Sequence, residues 1–314
     1  MTKAILFPGQ GSQSVGMGRD LYDSFSCAKD VFDEVDEALH FKLSSLIFEG
    51  NEEELTLTQN AQPALMTVSM AVCRVLQELS ARSLKDIFSY TAGHSLGQWT
   101  ALCAADSLTL SETAVMLRKR GAAMGKASCG KDGSMASIIG LSVAEVQKIV
   151  EESAGDDILV IANDNSIGQT VVSGETKAVE RAMEKAKQMK AKMAVKLSVS
   201  GAFHSPLMRP AAQDLEEEIL ALDVKTPQIT VIDNVTADVV TDAEQIKQNL
   251  VRQIYSPVRW TESVQKMASL GVTQTTEAGA GKVLSGLVRR IDDSLERVNL
   301  LTKESIEEFV KSLL

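Results

Sequence analysis

A serine hydroxyl attacks at neutral pH only when one group takes its proton and others receive the negative charge that the attack creates. Gly93-His94-Ser95-Leu96-Gly97 sets a serine in the G-x-S-x-G pattern of a nucleophile elbow. On such a sharp strand-to-helix turn the hydroxyl is exposed, and backbone N–H groups at the helix start can hold a tetrahedral oxyanion. The flanking glycines leave room where side chains would strike the neighbouring strand and helix. Five residues alone also fit an ordinary Gly-rich turn, so the flanks matter. Residues 86–91 read as a short buried strand and residues 98–104 as the start of a helix.

Histidine is the usual base for a serine, and the chain has three. His94 adjoins the serine, so its side chain is expected to point away from the hydroxyl and to be structural. His40 follows an acidic, polar helix and reads as a surface residue. His204 remains, in Val199-Ser200-Gly201-Ala202-Phe203-His204-Ser205-Pro206, a loop of the kind where catalytic groups collect. The group that orients it stays open, because the chain holds 42 acidic residues and any carbonyl could serve.

Other chemistries find little support. The net charge of −10 argues against broad nucleic-acid binding, though a local basic patch could still hold a phosphorylated ligand. Cys27, Cys73, Cys103 and Cys129 form no C-x-x-C pair and no cluster with histidine, so no metal is expected; reduced, mostly buried thiols suit a cytoplasmic protein. The apolar run at residues 4–7 is too short for a signal peptide. Residues 87–105 carry no charge, but His94, Gln98, the glycines and the serines make them too polar to span a membrane. After Gly9 and Gly11 the third glycine of a dinucleotide loop is replaced by Ser14. Near Gly281-Lys282, Thr276 stands at the first P-loop glycine and Val283 at the metal-binding hydroxyl, leaving a tight strand-to-helix turn.

The elements that must position these residues alternate. Residues 4–7 read as a strand, followed by helices over 27–39, 62–79 and 111–124. Pro63 is placed in the first turn of its helix, and Ser111 is taken as an N-cap. Strands over 133–141, 158–163, 169–173 and 192–199, with helices over 142–153 and 175–189, give the β-α-β-β-α-β order of a ferredoxin-like unit. The expected architecture is α/β: a catalytic domain of residues 1–127 and 201–314 interrupted by an insert of residues 128–200. The larger domain continues with helices over 211–222, 243–254, 261–270 and 281–291 and strands over 229–233 and 272–277.

The chain resembles the malonyl-CoA:acyl-carrier-protein transacylases of fatty acid synthesis and the related acyltransferase domains of polyketide synthases. The resemblance covers nearly the whole chain. It rests on Phe7-Pro8-Gly9-Gln10-Gly11-Ser12-Gln13, Gln62-Pro63-Ala64-Leu65, the elbow, and Arg120-Gly121. It continues in Gly201-Ala202-Phe203-His204-Ser205-Pro206-Leu207-Met208, Gln253-Ile254-Tyr255-Ser256-Pro257-Val258-Arg259-Trp260 and Gly279-Ala280-Gly281-Lys282-Val283-Leu284. The family's fold, a hydrolase-like α/β domain with a ferredoxin-like insert, matches the element order.

The resemblance implies a role for each matching residue. Ser95 is malonylated by malonyl-CoA, and His204 takes its proton and later activates the phosphopantetheine thiol of acyl carrier protein. The N–H groups of Gln10 and Leu96 form the oxyanion hole. The backbone carbonyl of Gln253 orients the histidine, so no acidic third member is needed. Arg120 grips the malonyl carboxylate, whereas Arg118 and Lys119 beside it read as a solvated face. Phe203 lies beside the acyl C2 and favours malonyl over methylmalonyl. No metal or cofactor is implied, and a monomer fits. Gln98-Trp99 departs from the family's usual Glu-Tyr, and Ala280 from its usual Pro; neither removes a catalytic group. The rival readings are a polyketide acyltransferase, a serine thioesterase, and a non-catalytic relative that only binds carrier protein.

Overall fold

Short apolar runs alternating with amphipathic helices call for a parallel sheet covered on both faces. The computed structural model describes residues 2–129, 132–199 and 201–313. Its ten strands are β1 Thr2–Phe7, β2 Tyr90–Gly93, β3 Gly133–Ile139, β4 Leu159–Ser166, β5 Gln169–Glu175, β6 Met193–Lys196, β7 Thr230–Ile232, β8 Val239–Val240, β9 Val272–Ala278 and β10 Glu296–Leu300. Six form a large sheet in the order β10-β9-β1-β2-β7-β8, parallel except for the antiparallel β7–β8 pair. Ala4-Ile5-Leu6-Phe7 is fully buried because β1 is central and covered on both faces. Alternate side chains part accordingly. Ile5 and Phe7 enter a core with Leu65, Val68 and Val72 of the helix Thr58–Ser80. Ala4 and Leu6 enter another with Trp260 and Val264 of the helix Trp260–Ser269.

The remaining four strands form an antiparallel sheet in the order β4-β5-β3-β6. The helices Val143–Ala154 and Thr176–Gln188 cover one face, burying Ile138, Val146, Ile149, Val172 and Val179. This is the ferredoxin-like order, inserted in a hydrolase-like α/β fold. Met135, Ala162 and Val171 join the large core, and Asn163 bridges to Val258, so the small sheet is fixed beside the large one.

Local chemistry moved several boundaries. The strand expected over 86–91 is split. Ser83 and Asp86 close a capping box that starts a short helix, Leu84–Ile87, and β2 begins only at Tyr90. The helix expected from Ser111 is capped at Thr109 instead. Glu112 stands three residues beyond Thr109, and the two close a capping box over Leu110–Ser128. Pro63 does not open its helix. The helix starts at Thr58, leaving Pro63 inside with no N–H for the carbonyl of Gln59, and burial of Ala64, Leu65 and Val68 sustains it. Beyond residue 291 the sheet gains β10, and the helix Lys303–Ser312 packs Ile306 and Phe309 into the core.

Among the described residues no helix is long and apolar enough to cross a membrane, and no group of three His, Cys, Asp or Glu could hold a metal ion.

Candidate active site

β1 and β2 run in register from Ala4 opposite Tyr90 to Phe7 opposite Gly93. The loop after β1 and the turn after β2 therefore emerge together at the carboxyl ends of the strands, where open α/β sheets place their ligands. The turn has no slack. A Cβ at Gly93 would strike the carbonyl of Gly97, and one at Gly97 would strike the carbonyl of Phe7. Ser95, between them, has φ 54° and ψ −106° before the helix Leu96–Ala104. A non-glycine backbone held so far outside the common wells costs about 1–3 kcal/mol, which surrounding contacts must offset.

The strain aims the hydroxyl at His204. Ser95 Oγ lies 2.8 Å from His204 Nε2. On the other side of the ring, Nδ1 lies 2.9 Å from the carbonyl oxygen of Gln253 and 3.1 Å from that of Ser256. Two carbonyls can only accept, so Nδ1 carries the proton and Nε2 is left to accept from the serine. Burial, reinforced by the nearby charge of Arg120, pushes the imidazole down to about 3 against the opposing pull of the two carbonyls. The ring is therefore neutral at physiological pH.

Arg120 comes from the helix Leu110–Ser128 and is 1% exposed. It donates to Gln62 Oε1 at 2.7 Å, to Gln253 Oε1 at 3.0 Å and to Ser95 Oγ at 3.0 Å. All three acceptors are neutral, and its Nε finds no partner among the described residues. Burial alone pulls the guanidinium down to about 10, which leaves it charged. Buried cations are ordinarily paired, so this one is poised for an anion. Arg118 lies over the Phe41 ring and donates to Asn60, while exposed Lys119 pairs with Glu218.

Gln10, Ser95, Leu96, Arg120, Phe203 and His204 line one cavity of about 310 Å³. The backbone amides of Gln10 and Leu96 donate to no acceptor among the described residues. Gln253 stands just behind, with its carbonyl on His204 and its side-chain Nε2 donating to the carbonyl of Ser95 at 3.0 Å. His94 turns away from the serine hydroxyl and meets Asn165 Oδ1 at 2.8 Å through Nε2; burial lowers its pKa. His40 is exposed at a helix end. Between β9 and the helix Val283–Ile291, the tight turn expected at Gly281-Lys282 is present; buried Glu277 accepts from the Leu284 and Ser285 amides.

Sequence reasoning gave no role to Gln62, Gln98, Asn234 or the side chain of Gln253. Gln98 Nε2 donates to Asp233 Oδ2 at 2.6 Å, and its Oε1 accepts from Gln253 Nε2 and from the Asn234 amide. The one signal was Asp233-Asn234, a polar pair directly after an apolar strand.

The model of the acyl transferase domain matches residues 5–290. The malonyl CoA-acyl carrier protein transacylase of Bacillus subtilis (strain 168) is 47% identical over 311 residues, 99% of this chain and 96% of that protein. Among solved structures, the acyl-carrier-protein-S-malonyltransferase of Bartonella henselae superposes with a TM-score of 0.97 at 47% identity, covering 100% of this chain and 99% of that one. A malonyl-transacylase in complex with a type II PKS acyl-carrier protein gives 0.95 at 38% identity, covering 99% and 100%. The chain belongs to the acyl transferase family, among the malonyl CoA-acyl carrier protein transacylases.

Proposed function

We propose that this chain carries a malonyl group from malonyl-CoA to the phosphopantetheine thiol of acyl carrier protein, by way of an ester on Ser95. The observation that carries the reading is one cavity in which Ser95 Oγ touches both a neutral His204 Nε2 and a buried guanidinium that lacks an anion.

In the first half, His204 Nε2 takes the hydroxyl proton as Ser95 Oγ bonds to the thioester carbonyl carbon. The Gln10 and Leu96 amides receive the oxyanion, and the Gln253 and Ser256 carbonyls steady the imidazolium through Nδ1–H. When the tetrahedral intermediate collapses, the C–S bond breaks and the proton on Nε2 passes to the CoA thiolate. In the second half, the phosphopantetheine thiol gives its proton to His204 and its sulfur attacks the ester carbonyl. The C–O bond then breaks, and the proton returns to Ser95. The sequence needs no cofactor.

Arg120 holds the malonyl carboxylate through two parallel hydrogen bonds, exchanging neutral amide partners for an anion. Phe203 limits space beside C2 and disfavours methylmalonyl. The catalytic domain comprises residues 1–127 and 201–314 and the insert residues 128–200, with the cleft between them open to the carrier arm. We place the protein in the cytoplasm as a monomer supplying fatty acid synthesis. A polyketide assembly line is the second reading, favoured by the likeness to the transacylase bound to a PKS carrier protein. The test is to incubate the enzyme with malonyl-CoA, with and without carrier protein. A malonyl mass on Ser95, discharged to carrier protein, is expected. Free malonate released at equal rates in both mixtures would indicate a thioesterase.

A further inference from the structure

β7 ends at Ile232, and its register with β2 stops at Thr91 opposite Val231. β2 continues to Gly93 and then turns, so the backbone at the elbow faces a place where no strand remains to pair with it. In a parallel ladder, one residue donates to the carbonyl before its partner and accepts from the amide after it. The side chain of Asn234 makes that pair of bonds. Its Nδ2 donates to the carbonyl of Gly93 at 2.8 Å, and its Oδ1 accepts from the amide of Ser95 at 2.9 Å, bracketing His94. From the opposite neighbour, the His94 amide donates to the carbonyl of Phe7 at 3.0 Å. The turn is thus gripped on both sides.

The carboxamide has one orientation. Oδ1 also accepts from Gln253 Nε2 at 3.1 Å, so a flip would oppose donors to donors there and oxygen to oxygen at Gly93. The backbone beneath it is fixed as well. Its amide donates to Gln98 Oε1 at 2.9 Å, and its carbonyl accepts from the Arg259 amide at 3.1 Å. Asn234 is fully buried and does not line the cavity that holds Ser95.

We propose that Asn234 is a positioning residue: its carboxamide replaces the missing end of β7, holds Ser95 at positive φ, and so aims both the hydroxyl and the Leu96 amide. The proposal rests on the reading that Ser95 is the group acylated.

The rate of malonyl-Ser95 formation, followed by rapid quench and intact mass, tests it in wild type, Asn234→Ala and Asn234→Asp. Asn234→Ala should acylate about 10²-fold more slowly, as a misplaced nucleophile does, with KM for malonyl-CoA changed less than about threefold. Asn234→Asp keeps the shape but turns a carboxylate oxygen toward the Gly93 carbonyl. Protonation restores the lost donor, and burial favours the neutral acid. Its acylation rate should therefore climb as pH is lowered from about 8 to about 5.5, while the wild-type rate does not. Acylation by Asn234→Ala at near the wild-type rate, or parallel pH profiles for wild type and Asn234→Asp, would overturn the positioning role alone. A wild-type enzyme that gains no acyl mass would overturn the underlying reading as well. Should the variants not fold, hydrogen exchange in the wild-type protein decides. The Ser95 amide should be protected like the amides of β2, and exchange at loop rates would refute the clamp.

Discussion

Arg120→Ala should remove the preference for a diacid donor while leaving acyl transfer in place. The guanidinium is 1% exposed and, among the described residues, meets only neutral oxygens, on Gln62, Gln253 and Ser95. A malonyl carboxylate supplies the missing counter-charge, and an acetyl group does not. Truncating one partner of a buried, hydrogen-bonded charge pair costs about 3–5 kcal/mol. At about 1.4 kcal/mol per decade, kcat/KM for malonyl-CoA should fall roughly 10²- to 10³-fold or more. For acetyl-CoA two effects oppose. The variant loses a charged hydrogen bond to Ser95 Oγ, worth about 1.5–3 kcal/mol, but no longer carries an unpaired buried cation. The malonyl-to-acetyl ratio should therefore collapse much further than acetyl transfer itself changes. The assay is a competition between the two donors at saturating carrier protein. Equal loss for both would refute the assignment.

The same variant has an independent readout. Burial is the main cause of the low His204 pKa, and the charge of Arg120 comes second. Removing that charge raises the pKa partway from about 3 toward 6.5. The base acts only when neutral, so the acid limb of kcat/KM should move to higher pH in Arg120→Ala. An unmoved limb would refute the coupling between guanidinium and imidazole.

In the wild type, kcat/KM should stay level as pH falls through the ordinary histidine range, since His204 titrates near 3; an acid limb at 6 to 7 would overturn that. In the window between about 6.5 and about 3, the unfolded chain binds a proton at position 204 that the folded chain refuses, so stability should fall with falling pH. Denaturant unfolding of His204→Gln should show a shallower slope in that window. Gly97→Ala places a Cβ against the Phe7 carbonyl. It should cost about 1–3 kcal/mol in a thermal melt and most of the acylation rate.

Legibility in the sequence followed the range of the interactions. The elbow could be read because its glycines answer contacts within a few residues, such as Gly93 against Gly97. β1 could be read because a strand buried on both faces is a continuous apolar run. Three local signals were less legible: Pro63 lies inside a helix that starts at Thr58, the box that caps the helix from Leu110 begins at Thr109 and not Ser111, and the Ser83/Asp86 box makes a helix of Leu84–Ile87, part of which reads as strand. Arg120 had a signal too. It stands three residues after Leu117 and four before Met124, on the buried face of its helix, whereas Lys119 falls on the solvent side. The Asn234 clamp had almost none, because its partners lie 139 and 141 residues away in the chain.

In the proposed Ser95–His204 dyad, neutral carbonyls on Nδ1 in place of an acid fit the position of that arginine. Gln253 is the last residue of the helix Ala243–Gln253, and the carbonyls of a helix's final turn have no partner within the helix. They can hold an imidazole N–H as firmly in direction as a carboxylate does, but without its charge. A carboxylate behind His204 would lie close to a guanidinium already bonded to Ser95 Oγ and to Gln253 Oε1. The two would pair, and a malonyl carboxylate would then have to compete with a built-in anion. Neutral acceptors orient the base and leave the cation unpaired. Burial and that cation make the imidazole a weak base, and thioester exchange tolerates this because a thiolate is a good leaving group that needs little help from a proton in the bond-breaking step. On the roles proposed for Arg120 and His204, selectivity for a diacid and neutral acceptors on Nδ1 are one electrostatic arrangement.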